Sequence, residues 1–200
     1  MDTNALFKIG YGLYVLTVKD DKDNGCIINT VMQVTSSPCN IAICVNKMNY
    51  TNEIIKKTKK FNVSVLSESA DFEIFKHFGY QSGKNVDKFK DFNQIKRSAN
   101  GLIYITKDAN SYISAEVTKE IEFETHTMFI GNVVDAEVLS DKTTVTYDFY
   151  QKNIKPRPNE TKKTGWRCKI CGYIYEGEVL PDDYICPLCK HGAIDFEKIN

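Results

Sequence analysis

Residues 113–124 read Ile-Ser-Ala-Glu-Val-Thr-Lys-Glu-Ile-Glu-Phe-Glu. Ile113, Ala115, Val117, Ile121 and Phe123 alternate with Ser114, Glu116, Thr118, Glu120, Glu122 and Glu124, and only Lys119 breaks the pattern. A period of two sends successive side chains to opposite faces of an extended chain. The stretch therefore predicts a β-strand with one face buried and one in water.

Working outward, the rest of the first 150 residues reads mostly as strands. Tyr11 to Val18 and Cys26 to Val34 are apolar and β-branched, and the polar run Asp20 to Gly25 between them predicts a hairpin turn ending on Asn24-Gly25. Ser36-Ser37-Pro38 punctuates the chain, Ile41 to Val45 is a further short strand, and Phe61 to Leu66 and Gly101 to Ile105 look alike. Three helices interrupt. Thr51 is expected to cap the first, with Ile54, Ile55, Thr58 and Phe61 on one face and Lys56, Lys57, Lys59 and Lys60 on the other. Phe72, Phe75 and Phe78 mark a second, closed by Gly79. Tyr147 and Tyr150 mark a third, starting near Thr143. Many strands, few helices and no strand–helix repeat predict a mainly β fold, an antiparallel barrel and not a doubly wound sheet.

Lys152 to Thr164, KNIKPRPNETKKT, holds two prolines, carries five basic residues against one acidic and lacks apolar periodicity. It reads as a linker between a domain over 1–151 and a unit over 165–200. A 36-residue unit is too small to fold on an apolar core alone, so something must staple it. The staple is legible in the cysteines: Cys168, Cys171, Cys186 and Cys189 follow the spacing C-x2-C-x14-C-x2-C. Each pair presents two sulfurs to one ion, and two pairs make a tetrahedral cage. Zinc ribbons share this spacing, so spacing alone leaves zinc and iron both open. Gly172 stands where the chain needs a left-handed turn beside the metal. Trp166, Tyr173, Tyr175, Tyr184 and Phe196 supply aromatic packing.

Acidic and basic residues balance at 26 each, which argues against a general affinity for nucleic acid or an anionic membrane. No apolar run approaches the roughly 18 residues of a membrane span, and no signal-peptide pattern opens the chain, so the expected location is the cytoplasm. Cys26, Cys39 and Cys44 sit in apolar strand-like stretches and read as small buried hydrophobes.

The segment GWRCKICGYIYEGEVLPDDYICPLCKHGAIDFEKI resembles rubredoxin along nearly its whole length, through WxCxxCGYxY, Pro-Asp-Asp-Tyr, CPLC and the following Phe. It departs in its short middle segment and in Lys190, where a glycine is usual. That resemblance implies one iron held by Cys168, Cys171, Cys186 and Cys189, cycling between ferric and ferrous, with Cys171 and Cys189 nearest the surface. Asn29 to Pro38, Val45 to Thr51 and His126 to Val133, in that order, look like the flavin reductase family, and Gly79 to Lys84 with Val86 to Phe89 resembles its flavoredoxin branch. This implies a split β-barrel that binds FMN, usually as a homodimer. Asn29, Thr30, Gln33, Val34 and Thr35 would border the ring and ribityl chain, and Asn46, Lys47, Tyr50 and Thr51 would lie near the phosphate. His126 would stand where a nicotinamide approaches. Met32 and Gln33 replace residues that are small and hydroxylated in many members.

The whole chain resembles the high-molecular-weight rubredoxins. That implies an enzyme passing electrons from NAD(P)H through FMN to iron and on to a flavodiiron protein that reduces oxygen or nitric oxide. Three other readings stay open: a flavin reductase with a structural zinc tail, a carrier reduced by another protein, and a zinc-ribbon module on a flavin-free barrel.

Overall fold

A computed structural model describes residues 2–156, 165–169, 172–187 and 191–199. The chain separates into two compact units, 1–155 and 156–200.

The first unit is built on β1 (Tyr14–Lys19), β2 (Asp23–Ile28), β3 (Val31–Ser36), β4 (Cys39–Asn46), β5 (Lys60–Leu66), β8 (Ala109–Glu122) and β9 (His126–Val138). These form one antiparallel sheet in the order β2-β1-β5-β8-β9-β4-β3, the mainly β, split-barrel architecture expected. Leu16, Val18, Ile43, Val45, Phe61, Val63 and Phe129 fill its interior at 0–1% exposure. A separate hairpin, β6 (Ile95–Arg97) with β7 (Ile103–Ile105), lies against the outer face. There Asn62 donates to Ser98 Oγ at 2.8 Å and to the Leu102 and Ile103 carbonyls at 3.1 and 3.2 Å.

That hairpin changes the reading of the decisive strand. Ser114, expected in water, is fully buried, and Ile113, expected inside, is only half-buried. Register shifts between Ser114 and Ala115 and between Val117 and Lys119 mark β-bulges that reset the alternation, and Phe123 ends exposed past the strand. The one residue that broke the sequence pattern, Lys119, lies at the second bulge.

The β1–β2 turn is Asp20-Asp21-Lys22, because Asn24 and Gly25 pair with Val18 and Thr17 inside the ladder. Gly25 suits the packing there: a Cβ would stand 3.3 Å from the Phe78 ring and 3.0 Å from the Leu16 carbonyl oxygen, so both would have to give by a few tenths of an ångström.

Helix α1 (Tyr50–Thr58) buries Ile54 and Ile55 in the interior and ends on Lys59 in a left-handed conformation, φ 58°. Phe61 belongs to β5. Helix α2 (Phe72–Gly79) buries Ile74, Phe75 and Phe78 and is capped by Asp71, whose side chain accepts from the Glu73 amide. The third helix is short: α3 (Tyr147–Phe149), capped by Thr146, runs into a π-helical turn over Tyr150–Ile154. Its predicted start near Thr143 is early by four residues because Thr144 and Thr146 make β-bridges to Ser67 and Gly12. The expected linker opens inside that π-turn, where Ile154 packs on the α2 cluster; residues 157–164 lie outside the described residues. Among the described residues no helix is long and apolar enough to cross a membrane.

In the second unit, β10 (Gly165–Cys168), β11 (Ile174–Tyr175) and β12 (Phe196–Ile199) form a sheet in the order β11-β10-β12. Cys168, Leu180, Cys186 and Phe196 are buried under Trp166, Tyr173, Tyr175 and Tyr184.

Candidate functional site

A pocket of about 320 Å³ opens where the β2–β3 link meets β4 and β9. Asn29 and Thr30 form one wall, and Met32, Cys44 and Met128 form another. Tyr11, Gly12 and Tyr14 close it from the N-terminal side. The Thr30 hydroxyl donates to the Cys44 carbonyl at 2.7 Å and accepts from the Cys44 amide at 3.2 Å, which fixes the wall. A Cβ at Gly12 would fall 2.3 Å from the Tyr14 hydroxyl, so any larger residue there would push the Tyr14 ring aside. Burial pushes the Tyr14 phenol and the Cys44 thiol above their usual pKa values; for Tyr14 the Gly12 backbone hydrogen bond opposes the rise.

The predicted residues divide. Asn29 and Thr30 line the pocket. Gln33, Val34 and Thr35 lie beyond it on β3, exposed. The Thr35 hydroxyl donates to the Pro38 carbonyl at 2.6 Å and accepts from the Asn40 amide group at 2.8 Å. Cys39, expected to be buried, is exposed at this hairpin turn.

Asn46 stands opposite His126 in the β4–β9 ladder, two residues beyond the pair Cys44–Met128. Two residues along a strand share a face. Asn46 and His126 therefore stand on the same sheet face as Cys44 and Met128 but outside the pocket lining, and the His126 ring is tied through Nδ1 to the Thr125 hydroxyl at 2.8 Å.

At the adjoining barrel end, Glu122 gathers three donors. Lys47 Nζ lies 2.8 Å from Oε2 and Lys56 Nζ 2.6 Å from Oε1. The fully buried Thr127 hydroxyl reaches both oxygens at 3.3 Å. Hydrogen bonds from Lys47 and Lys56 hold the pKa of the Glu122 carboxyl down at about 2.

Tyr50 opens α1 beneath Lys84, whose Nζ is 5.4 Å from the ring centroid and 2.6 Å from Glu53. Thr51 is not the cap expected. Asn49 takes the N-cap position without a side-chain bond, while Thr51 is 1% exposed and accepts from the Asn24 amide group at 3.3 Å. Its hydroxyl is spent on joining α1 to β2.

In the second unit, Cys168 and Cys186 are 1% and 0% exposed. The Cys168 carbonyl accepts from the Gly172 amide and its own amide donates to Tyr173, both at 2.8 Å; the Cys186 amide donates to His191 at 2.8 Å. Gly172 is left-handed, φ 78°, as expected. Cys171, Cys189 and Lys190 lie outside the described residues.

Sequence reasoning passed over Gly12, Tyr14, Cys44 and Met128 on the pocket wall, and Lys56 and Glu122 at the barrel end. A signal existed for Cys44: it is in phase with Asn46 and out of phase with the buried Ile43 and Val45.

The flavin reductase like domain family matches residues 6–156, and the rubrerythrin, rubredoxin-like domain family matches residues 166–197. A high molecular weight rubredoxin of Moorella thermoacetica is 35% identical over 230 residues, covering 100% of both chains. A ferric-chelate reductase (NAD(P)H) of Archaeoglobus fulgidus is 41% identical over 151 residues, 75% of this chain and 89% of its own. Among solved structures, the flavin reductase PheA2 in its native state superposes with a TM-score of 0.62 at 28% identity, covering 73% of this chain and 93% of that one.

Proposed function

Because the chain belongs to the flavin reductase like domain family over residues 6–156 and carries a rubredoxin-like domain behind it, we propose that it is an electron-transfer flavo-rubredoxin, drawing electrons from NAD(P)H and delivering them singly to a protein acceptor. The family and its relatives support an NAD(P)H-dependent flavin oxidoreductase. The observation that carries the rest is the pairing of two redox families in one chain, matched along its full length by one relative.

Our reading of the cofactors is FMN and one iron. The pocket, about 320 Å³, falls within the range of small-ligand sites, roughly 300–1,000 Å³, and combines apolar walls with a few convergent polar groups. Asn29 and Thr30 would orient the flavin ring; Gln33, Val34 and Thr35 would border its margin. Asn46, Lys47 and Tyr50 would serve the phosphate end, with the buried Thr51, its hydroxyl taken up by Asn24, supporting the start of α1 behind them, and His126 would position the nicotinamide. Cys168, Cys171, Cys186 and Cys189 would hold the iron; an all-sulfur donor set suits iron or zinc, and the relative's name favours iron. When bound, the flavin supplies two-electron acceptance and one-electron release, and the iron supplies one-electron exchange.

The chain's own part is to bind, orient and exclude water. Tyr14 and Met128 cover the pocket, and the burial of Cys168 and Cys186 keeps solvent from two of the proposed ligands. A second copy of the chain suits the exposed Met32 and Val34 of edge strand β3. A flavodiiron protein is the acceptor we favour, with Glu176, Glu178, Asp182 and Asp183 steering it. The three cysteines of the first unit form no disulfide, which suits the cytoplasm.

The test is the visible spectrum of the anaerobic full chain before and after NADH. Bleaching of both the flavin and the ferric-thiolate bands is expected. Both bands present and unbleached would make the protein a carrier served by another reductase, and a flavin band alone would make the tail a zinc structure. The ferric-chelate reductase relative favours a second acceptor class, small ferric complexes. Reduction of ferric citrate that survives loss of the cysteines would select it.

A further inference from the structure

The chain has four methionines, and of the three that follow Met1 two, Met32 and Met128, line the pocket; Met48 lies outside its lining, in the β4–α1 link. Cys44 adds a third sulfur to the same wall. Register brings them together. Cys44 stands directly opposite Met128 in the β4–β9 ladder, and Met32 stands opposite Ala42, two residues from Cys44 on the same face. Three strands thus bring soft, polarisable sulfur to one cavity of about 320 Å³. The sulfurs differ in reactivity. A thiol attacks an oxidant as its thiolate, and burial raises the Cys44 pKa, which keeps that thiol protonated. A thioether has no proton to lose, so Met32 and Met128 react without ionising.

We infer that Met32 and Met128 are modification sites for peroxide formed inside the pocket, so that turnover in air converts their thioethers to sulfoxides and drives the flavin out. The inference rests on the flavin and NAD(P)H reading above and names a regulation of that same site. Two electrons and two protons from a reduced flavin turn dioxygen into hydrogen peroxide. The methionine sulfur then gives an electron pair to one peroxide oxygen. The S–O bond forms as the O–O bond breaks, and the second oxygen leaves as water with both protons. The sulfur is oxidised by two electrons and the peroxide is reduced by two. A flexible apolar side chain becomes a polar one. Its new oxygen would stand among Val31, Ala42 and Ile43, whose side chains offer no donor, so the wall loses its fit to a flat apolar ring.

Met32 and Met48 supply the comparison, because they are 57% and 53% exposed and peroxide in bulk water would meet them alike. A second copy of the chain over β3 would only lower the share of bulk oxidation that falls on Met32. In the experiment the full-length, FMN-loaded protein is turned over with NADH in air with catalase present, and the oxygen gained at each methionine is read by peptide mass spectrometry. Met32 and Met128 are expected to gain oxygen, Met32 about tenfold ahead of Met48 as a modest proximity effect, and neither to gain it without air. Met32→Leu combined with Met128→Leu is expected to keep its bound flavin through turnovers that empty the unaltered chain, each protein measured against its own start. Equal oxidation of Met32 and Met48, or protection of all three by catalase, would place the peroxide in bulk water and overturn the inference. Sulfoxides formed with the flavin fully retained would overturn it too. Unmodified methionines after sustained NADH oxidation in air would overturn it and leave the flavin reading intact. Where NADH leaves the bound flavin oxidised, dithionite supplies the electrons and is removed before air is admitted, and the same peptides are read. A chain that binds no flavin would remove the reading beneath the sites, and the sites with it.

Discussion

Lys88 donates its ammonium to the carbonyl of Phe78 at 2.8 Å, at the C-terminal end of α2. It is only 3% exposed and also donates to Gly25 on β2 at 2.7 Å. Desolvation lowers its pKa, with the Cys26 thiol opposing. One cation thus ties the end of α2 to the edge strand. Lys88→Met would leave two carbonyls without that donor, at about 1–3 kcal/mol each, partly offset by removing a buried charge. A net loss of about 2 kcal/mol is expected in urea unfolding. An unchanged midpoint would mean that water replaces the ammonium.

Tyr112 stacks on Tyr104 with centroids 3.9 Å apart and donates to Asp135 at 3.0 Å. Burial first, then the Asp135 hydrogen bond, pushes its pKa up to about 12. A raised pKa means that the folded state keeps the proton longer than the unfolded state. The stabilisation is complete below the unfolded phenol's value of about 10 and is lost as pH rises through about 12. Tyr112→Phe should flatten the fall in stability over that alkaline window. Equal slopes for the two proteins would refute the assignment.

A Cβ on Gly131 would lie 3.0 Å from both the Phe61 ring and the Ala115 methyl, in the middle of the β8–β9–β4 ladder. Gly131→Ala should destabilise the first unit by about 1–3 kcal/mol through overpacking. Phe61→Leu in the same chain should recover part of it, giving a non-zero coupling in a double-mutant cycle. Strict additivity would show that the strand relaxes elsewhere.

Trp166 is the chain's one tryptophan and packs on the cluster of Cys168, Leu180, Cys186 and Phe196. Its emission therefore reports on the second unit, whereas far-UV circular dichroism is dominated by the first. Cys186→Ser should shift the emission to the red at once and leave the main circular dichroism transition in place. A shift in both would mean that the units unfold together.

How much of this was legible can be argued from single residues. The pattern of 113–124 announced a β-strand correctly, and the family of short apolar runs around it announced the sheet. What periodicity cannot encode is a second layer: Ser114 is buried because the β6–β7 hairpin lies over it, and Thr51 is buried because Asn24 arrives from another strand. Asn24-Gly25 has turn composition yet pairs inside the ladder, because Phe78 needs the space that a side chain would fill. At the site, Asn29 and Thr30 were identified from the chain, while Tyr14, Cys44 and Met128 enter the pocket only once the sheet order is known.

The same sheet order sets a schedule during synthesis. The β3–β4 hairpin meets the other five strands of the sheet only through β9, and Met128 follows Cys44 by more than eighty residues. A ribosome adding roughly 5–20 residues per second leaves that hairpin without its neighbour for roughly 4–17 seconds. Until β9 emerges, the emerging chain has Asn29, Thr30, Met32 and Cys44 but lacks Met128, so the second wall is incomplete. The pocket is thus closed by a late arrival, and a ligand present during translation has nothing complete to enter until more than half of the chain has been made.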